Sequence, residues 1–272
     1  DISSYERYCR GAMIDMNTNK VVFIPPSKAI QSTLLENDIY RVSINAAGEI
    51  ASAMTVDGIL KLMRSEGEDT TNFTDQEFRI WIGRVLERVN EQVYESAQEP
   101  GRKGMGTTCT LGVIRKETLF LGHVGDSRGY LLREGKLHQV TTDHSWVEEE
   151  VSKGNLTAEQ ARVHPRRNVI TRAIGIEQTI KVDVSSVNLM GKDKILVASD
   201  GLTTMVPDNE IERIILSDDI EESCNTLIRT ANGYGGLDNI TVVLASIYPG
   251  FNPNEKSNIT TSSKKTLKPG TR

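Results

Sequence analysis

Cysteine and histidine are both scarce in this chain. Cys9, Cys109 and Cys224 stand far apart among 272 residues, and His123, His138, His144 and His164 are never paired at metal-ligand spacing. An odd number of cysteines with no Cys-x-x-Cys pair excludes a disulfide framework and a structural zinc site, and a reduced, cytoplasmic setting follows. The histidines read as packing or turn residues. No apolar run is long enough to span a bilayer, so the membrane is excluded as a partner of this segment. Positive charge is not in excess either: 32 Lys and Arg face 37 Asp and Glu, for a net charge of -5. Affinity for nucleic acid draws largely on Lys and Arg meeting phosphates, so that class of partner is excluded as well. Neither a Gly-x-Ser-x-Gly elbow nor a Gly-Lys-Ser/Thr phosphate loop is present, which removes serine hydrolases and nucleoside-triphosphate enzymes. The sequence opens without Met or a secretory pattern, and a piece of a longer protein is the expectation.

What remains is an ordinary globular composition, 38% hydrophobic and 25% charged. No Pro/Gly/Ser-rich linker interrupts it before residue 250, so one domain over 1–249 is expected. Residues 250–272 turn to Asn, Ser, Thr and Lys and are expected to be a disordered tail. Lys256, Lys264, Lys265 and Lys268, spaced through Ser and Thr, fit a solvated linker better than an anion-binding patch.

Short β-branched runs at Lys20 to Ile24 and Ile39 to Ile44 read as strands, and Ala47, Ile50, Ala51 and Met54 fall at helical spacing. Thr74-Asp75-Gln76-Glu77 is a capping box opening a long helix striped with Phe78, Trp81, Ile82, Val85 and Val89 and ending near Glu99-Pro100. From Gly104 the period changes to two. Thr107 to Ile114, Thr118 to Val124 and Gly129 to Leu132 predict a β-meander. Helices at Ser145 to Lys153 and Thr157 to Arg162 follow, then strands at Ile180 to Val187 and Lys194 to Ala198. Helices at Asp208 to Leu216 and Ile220 to Ala231 precede a last strand at Asn239 to Ile247. Strand groups interrupted by amphipathic helices give an α+β class: a four-layer α/β/β/α sandwich, two antiparallel sheets face to face with helices outside.

Three carboxylates lie in turns at strand ends: Asp126 in Gly125-Asp126-Ser127-Arg128, Asp200 in Ala198-Ser199-Asp200-Gly201-Leu202, and Asp238 in Leu237-Asp238-Asn239-Ile240-Thr241. Singly, each is explained by the habit of Asp-Gly and Asp-Asn to form turns. Together they offer rigid oxygen ligands of the kind Mg²⁺ and Mn²⁺ prefer. Gly233-Tyr234-Gly235-Gly236 looks like a phosphate cradle but is more economically a helix stop that delivers Asp238.

From about Gly104 to Ile247 the chain resembles the metal-dependent, type 2C (PPM-type) serine/threonine protein phosphatases, bacterial members especially. The resemblance rests on Gly106-Thr107-Thr108, Val124 to Arg128, Thr142-Asp143-His144-Ser145, His164 to Gly175, Ala198 to Leu202 and Gly236 to Val243, in that order. It implies metal ligation by Asp200 and Asp238 at a binuclear Mg²⁺ or Mn²⁺ centre, with Asp126 serving an additional metal. It also implies Arg10 as a phosphate contact. The segment around His164, Arg166, Arg167 and Asn168 would be a flap that selects a phosphorylated protein substrate or a regulatory partner, although its arginines are equally read as solvated loop charge.

Towards the amino terminus the pattern breaks. Family members carry an Asn-Glu-Asp turn and an Asp-Gly-x-Gly-Gly loop whose Asp bridges both metals. Here Met13-Ile14-Asp15 follows Arg10, and Tyr40 or Asn45 takes the place of the bridging Asp, depending on how the segment before Gly48 is aligned. The expectation from this departure is a degenerate metal centre with weak or absent hydrolysis, hence a pseudophosphatase or regulatory binding module in phosphoprotein signalling. The alternative is an active phosphatase that uses metal-activated water.

Overall fold

The computed structural model describes residues 11–15, 20–24, 39–44, 49–67, 70–115 and 117–247, with side chains from Ile50 onward. Arg10, Asn45 and the 250–272 tail lie outside these described residues.

Among the described residues, ten strands form two antiparallel sheets. The first has the order β2 (Lys20–Ile24), β1 (Gly11–Asp15), β3 (Ile39–Ile44), β4 (Cys109–Arg115), β5 (Thr118–Val124), β8 (Asp183–Asn188). The second runs β10 (Val242–Ser246), β9 (Lys194–Ala198), β6 (Arg128–Arg133), β7 (Lys136–Gln139). Side-chain alternation in the central strands divides the core into three. Leu119 and Leu121 of β5, Leu131 of β6, Ile195 and Val197 of β9 and Val243 of β10 fill the space between the sheets. Cys109, Leu111, Val113, Phe120 and Val124 point the other way, onto helices α1 (Glu49–Glu66) and α2 (Asp75–Ala97). Tyr130, Leu132, Leu196, Ala198, Val242 and Leu244 meet α5 (Asp200–Thr203), α6 (Asp208–Ile215) and α7 (Ile220–Gly233) on the outer face of the second sheet. These strands are apolar on both faces because both faces are covered. The α/β/β/α sandwich read from the sequence is the observed fold.

Helix α2 begins as its capping box requires: the Thr74 hydroxyl accepts from the Glu77 amide, and the Glu77 carboxylate accepts from the Thr74 amide. Its stripe is buried, and Phe78, Ile82 and Val89 are fully enclosed, each contributing roughly 1.5–3 kcal/mol of transfer free energy. The shorter helices α3 (Trp146–Ser152) and α4 (Ala158–Val163) are capped by the Ser145 and Thr157 hydroxyls.

Several expectations need correction. The meander does not continue through three strands. After β5 the chain crosses from the first sheet to the second at Gly125-Asp126-Ser127, so β4–β5 and β6–β7 are separate hairpins. Strand β8 starts at Asp183 rather than Ile180, and β10 at Val242 rather than Asn239. Helix α7 runs through Asn232 and Gly233 to a cap at Tyr234. Gly235 and Gly236 beyond it adopt positive φ, completing the helix stop. Met13-Ile14-Asp15, which departs from the Asn-Glu-Asp pattern, lies in strand β1.

Candidate functional site

Antiparallel pairing brings three strand termini of the second sheet into one row. Ala198, the last residue of β9, is opposite Arg128, the first of β6, and also opposite Val242, the first of β10. Asp200 follows the first of these termini, Asp126 precedes the second and Asp238 precedes the third. All three candidate ligands therefore emerge at one edge of the sandwich.

Their turns interlock. The Ser199 hydroxyl donates to the Asn239 carbonyl at 3.0 Å and accepts from the Thr241 amide at 3.0 Å, while the Ser199 amide donates to the Thr241 carbonyl. Gly201 is required by closeness rather than by dihedral angle: a Cβ there would lie 2.3 Å from the Asn239 carbonyl oxygen. In the Asp126 turn, Gly125 has a φ of 116°, and an added Cβ would sit 2.3 Å from Thr108 Cγ2. Thr108 itself bonds the Ser127 hydroxyl at 3.1 Å. This explains why the Gly106-Thr107-Thr108 segment belongs with the Gly-Asp turn.

Asp143 joins the three carboxylates as a fourth acid. It holds Arg128 through both Nε and Nη2, at 2.7–2.9 Å. Burial, then the charges of Asp200 and Asp143, push the Asp126 carboxyl up to about 7. Burial and then the neighbouring Asp238 raise that of Asp200, against the pull of the Gly201 amide. Asp238 is exposed, and its carboxylate accepts from the following Asn239 amide. Among the described residues no group of three or more His, Cys, Asp or Glu side chains is placed to hold a metal ion. The mutual repulsion of Asp126, Asp200 and Asp238 along this edge is of the kind a hard cation would relieve.

The register of the first sheet tests the alignment that puts Tyr40 in the bridging position. Ile44 pairs with Thr110 and Cys109 with Val124, so the carboxyl end of β3 leads to the Asp126 edge. Tyr40 is opposite Ile114 and Asp15 opposite Tyr40, four strand positions away, or roughly 13 Å. Tyr40 and Asp15 are thus at the wrong end of the sheet to complete this site. Asp57 stands within α1, exposed. Arg10 lies outside the described residues.

The flap candidates form a separate cluster beside α3. His164 ends α4 and stacks on Trp146 with ring centroids 4.8 Å apart, and the Arg166 guanidinium lies 5.1 Å from the same ring. Arg167 and Asn168 are exposed. The segment is tied to α3 by the Trp146 amide donating to the Val169 carbonyl at 2.8 Å.

His123 and His144, expected as packing or turn residues, form with Asp143, Asp183 and Arg172 a connected group beneath the Asp126 turn. His123 bonds the Thr110 hydroxyl at 3.0 Å and the Thr142 carbonyl at 3.1 Å, and its ring lies 4.7 Å from that of His144. Thr142-Asp143-His144-Ser145 was visible as a motif, but its contacts are long-range.

The pattern of the family described as protein phosphatase 2C matches residues 52–240. The chain belongs to this family. It is 41% identical over 202 residues to the protein phosphatase PhpP of Streptococcus pneumoniae, covering 74% of this chain and 80% of that protein. Among solved structures, the serine/threonine phosphatase of S. agalactiae superposes with a TM-score of 0.71 at 34% identity, over 81% of this chain and 92% of the other. The catalytic domain of the serine/threonine protein phosphatase PstP, solved with two manganese ions, superposes with a TM-score of 0.65 at 25% identity, over 88% and 98%. These relatives are named as phosphatases, which favours the active alternative over a pseudophosphatase.

Proposed function

We propose that the chain is a metal-dependent phosphatase acting on phosphoserine and phosphothreonine in proteins, with Mg²⁺ or Mn²⁺ as cofactor. The observation that carries this reading is the convergence of Asp126, Asp200 and Asp238 at one sheet edge, with the Asp126 and Asp200 carboxyls raised by burial and by neighbouring negative charge. Asp200 and Asp238 would hold the principal cation, and Asp126 an adjacent one. When bound, such a cation supplies charge neutralisation for a phosphate and a water acidic enough to attack phosphorus near neutral pH.

The chain's own residues do the positioning. Ser199 and Gly201 lock the Asp200 turn onto the Asp238 turn, and Asp143 occupies Arg128, whose charge offsets only part of the repulsion at Asp126. The segment with His164, Arg166 and Arg167 would meet the protein around the phosphorylated residue. Cys109 and Cys224 are buried thiols, in keeping with a reduced cytoplasmic setting, and among the described residues no helix is long and apolar enough to cross a membrane.

A second reading rests on one specific feature: neither Tyr40 nor Asn45 supplies the bridging carboxylate. A chain lacking that ligand could keep the fold as a binding module. Calorimetric Mn²⁺ titration alongside hydrolysis of a phosphothreonine peptide separates the two. Turnover that is lost in Asp200→Asn and Asp238→Asn supports the enzyme, whereas no turnover at saturating Mn²⁺ leaves the binding module.

A further inference from the structure

His144 is fully enclosed and engages three separate segments. Its amide donates to the Gly125 carbonyl at 2.7 Å, and its carbonyl accepts from the Thr171 amide at 2.8 Å. Its imidazole Nδ1 accepts from the Gly125 amide at 3.0 Å. That bond fixes the tautomer, because a nitrogen accepting a hydrogen bond carries no proton, so Nε2 holds it. Nε2 then donates to Asp183 at 3.2 Å, and the other Asp183 oxygen accepts from Arg172 at 2.9 Å. Gly125 is thus gripped on both its backbone groups by one residue, immediately before Asp126. Thr171 and Arg172, which close the segment after Arg166 and Arg167, are gripped by the same residue and by its carboxylate partner.

We propose that His144 is a positioning residue, which sets the Gly125-Asp126 turn for cation binding and couples that turn to the base of the 164–172 segment. The inference rests on Asp126 belonging to the metal-binding edge. Gly125 sits at a φ of 116°, one of several conformations open to glycine, so the turn needs an outside contact to select it. An acceptor aimed at the Gly125 amide is what holds the turn in that conformation. Asp183 orients this acceptor through the opposite ring nitrogen.

The two amide side chains divide the imidazole's functions. In His144→Asn the side-chain oxygen falls where Nδ1 was and still accepts from Gly125, but the bond to Asp183 is lost. In His144→Gln the side-chain nitrogen falls where Nε2 was and still donates to Asp183, but the buried Gly125 amide loses its acceptor. The test uses the full chain, with Mn²⁺ affinity from calorimetry and amide hydrogen exchange of the peptides containing 123–128 and 164–172. His144→Gln should weaken Mn²⁺ binding by about tenfold and speed exchange in both peptides, while His144→Asn stays within about threefold of the parent. Equal behaviour of the two variants, with only a common loss of thermal stability, would mean that His144 merely fills space and would overturn the proposal. If neither variant folds, Asp183→Ala changes a partly exposed residue and must still speed exchange of the 123–128 peptide by about threefold; unchanged exchange there also overturns it. A parent chain that hydrolyses no phosphopeptide defeats the phosphatase reading alone, because the exchange comparison needs no turnover.

Discussion

Gly201→Ala sets two effects of known size against each other. Gly201 lies in the first turn of α5, where its φ is not positive, so alanine is permitted there and helix propensity favours it by about 1 kcal/mol. Sterics oppose this. The new Cβ would lie 2.3 Å from the Asn239 oxygen, 2.9 Å from its carbonyl carbon and 3.3 Å from the Asp238 oxygen, all of them backbone atoms that cannot swing aside. Reaching ordinary contact near 3.5 Å requires the Asp200 and Asp238 turns to part by about 1 Å. Overpacking of this kind costs about 1–3 kcal/mol, so a net destabilisation of up to about 2 kcal/mol is expected, or at most a few degrees in melting temperature. The functional loss should be far larger than the stability loss. A displacement of about 1 Å at a reacting centre costs on the order of a hundredfold in rate. Thermal melting, Mn²⁺ calorimetry and phosphopeptide turnover measured on one preparation would check this. A variant that melts higher than the parent and keeps its Mn²⁺ affinity and turnover would refute the argued closeness of the two turns.

Other perturbations bear on separate parts of the structure. Asp126 has its carboxyl pushed up to about 7 from 3.8, so the metal-free protein should lose stability as pH rises from about 4 through about 7. Asp126→Asn removes that cost and should stabilise the metal-free chain by roughly 1–3 kcal/mol at pH 8, while shrinking the rise in melting temperature on adding Mn²⁺; a less stable metal-free variant at pH 8 would contradict this. Burial first, then His144, lowers His123 to about 4 from 6.5. Because the unfolded chain takes up that proton and the folded chain does not, stability should be complete above pH 6.5 and fall by up to about 3 kcal/mol as pH drops to about 4. Urea unfolding of the parent and of His123→Asn should show a pH slope in this window that is shallower in the variant, and equal slopes would refute the assignment. Arg115 is buried, donates to the Phe73 carbonyl at 2.6 Å and to that of Thr71 at 3.2 Å, and lies over the Phe78 ring. Arg115→Met should cost about 2–4 kcal/mol by stranding those carbonyls, with turnover per folded molecule unchanged; an unaltered melting temperature would show the carbonyls find water instead.

What the sequence made legible was local. The capping box of α2, the period-two run of β5 and the apolar run of β9 each state their own structure, and Lys194 to Ala198 falls where that run says it should. Sheet membership was not legible, because β5 and β6 look like neighbours in a meander and only the path of three turn residues sends them to different sheets. The acids at Asp126, Asp200 and Asp238 could be found because each sits in a short motif with a recognisable turn chemistry. Asp183 could not, since it is an ordinary residue at the start of an edge strand that gains meaning only from His144, 39 positions earlier in the chain. Hydrogen bonds between distant segments leave no periodic trace.

The position of the acids on their strands follows from the same topology. β9 is flanked by β10 and β6, both antiparallel to it, so its carboxyl end shares an edge with their amino ends. A site at that edge can take a residue just after β9 and residues just before β6 and β10, which is where Asp200, Asp126 and Asp238 occur. Had any one of them stood at the other terminus of its strand, it would face the opposite edge, at least 10 Å away along the sheet. The crowding of charge is therefore built in by strand direction and stored in a rigid framework of interlocked turns. Folding such a cluster without a cation costs stability, as the raised Asp126 carboxyl indicates. A framework that keeps Ser199, Gly201 and Gly125 in the service of that arrangement is better explained by use of the site than by turn formation alone, because isolated Asp-Gly and Asp-Asn turns need no shared edge.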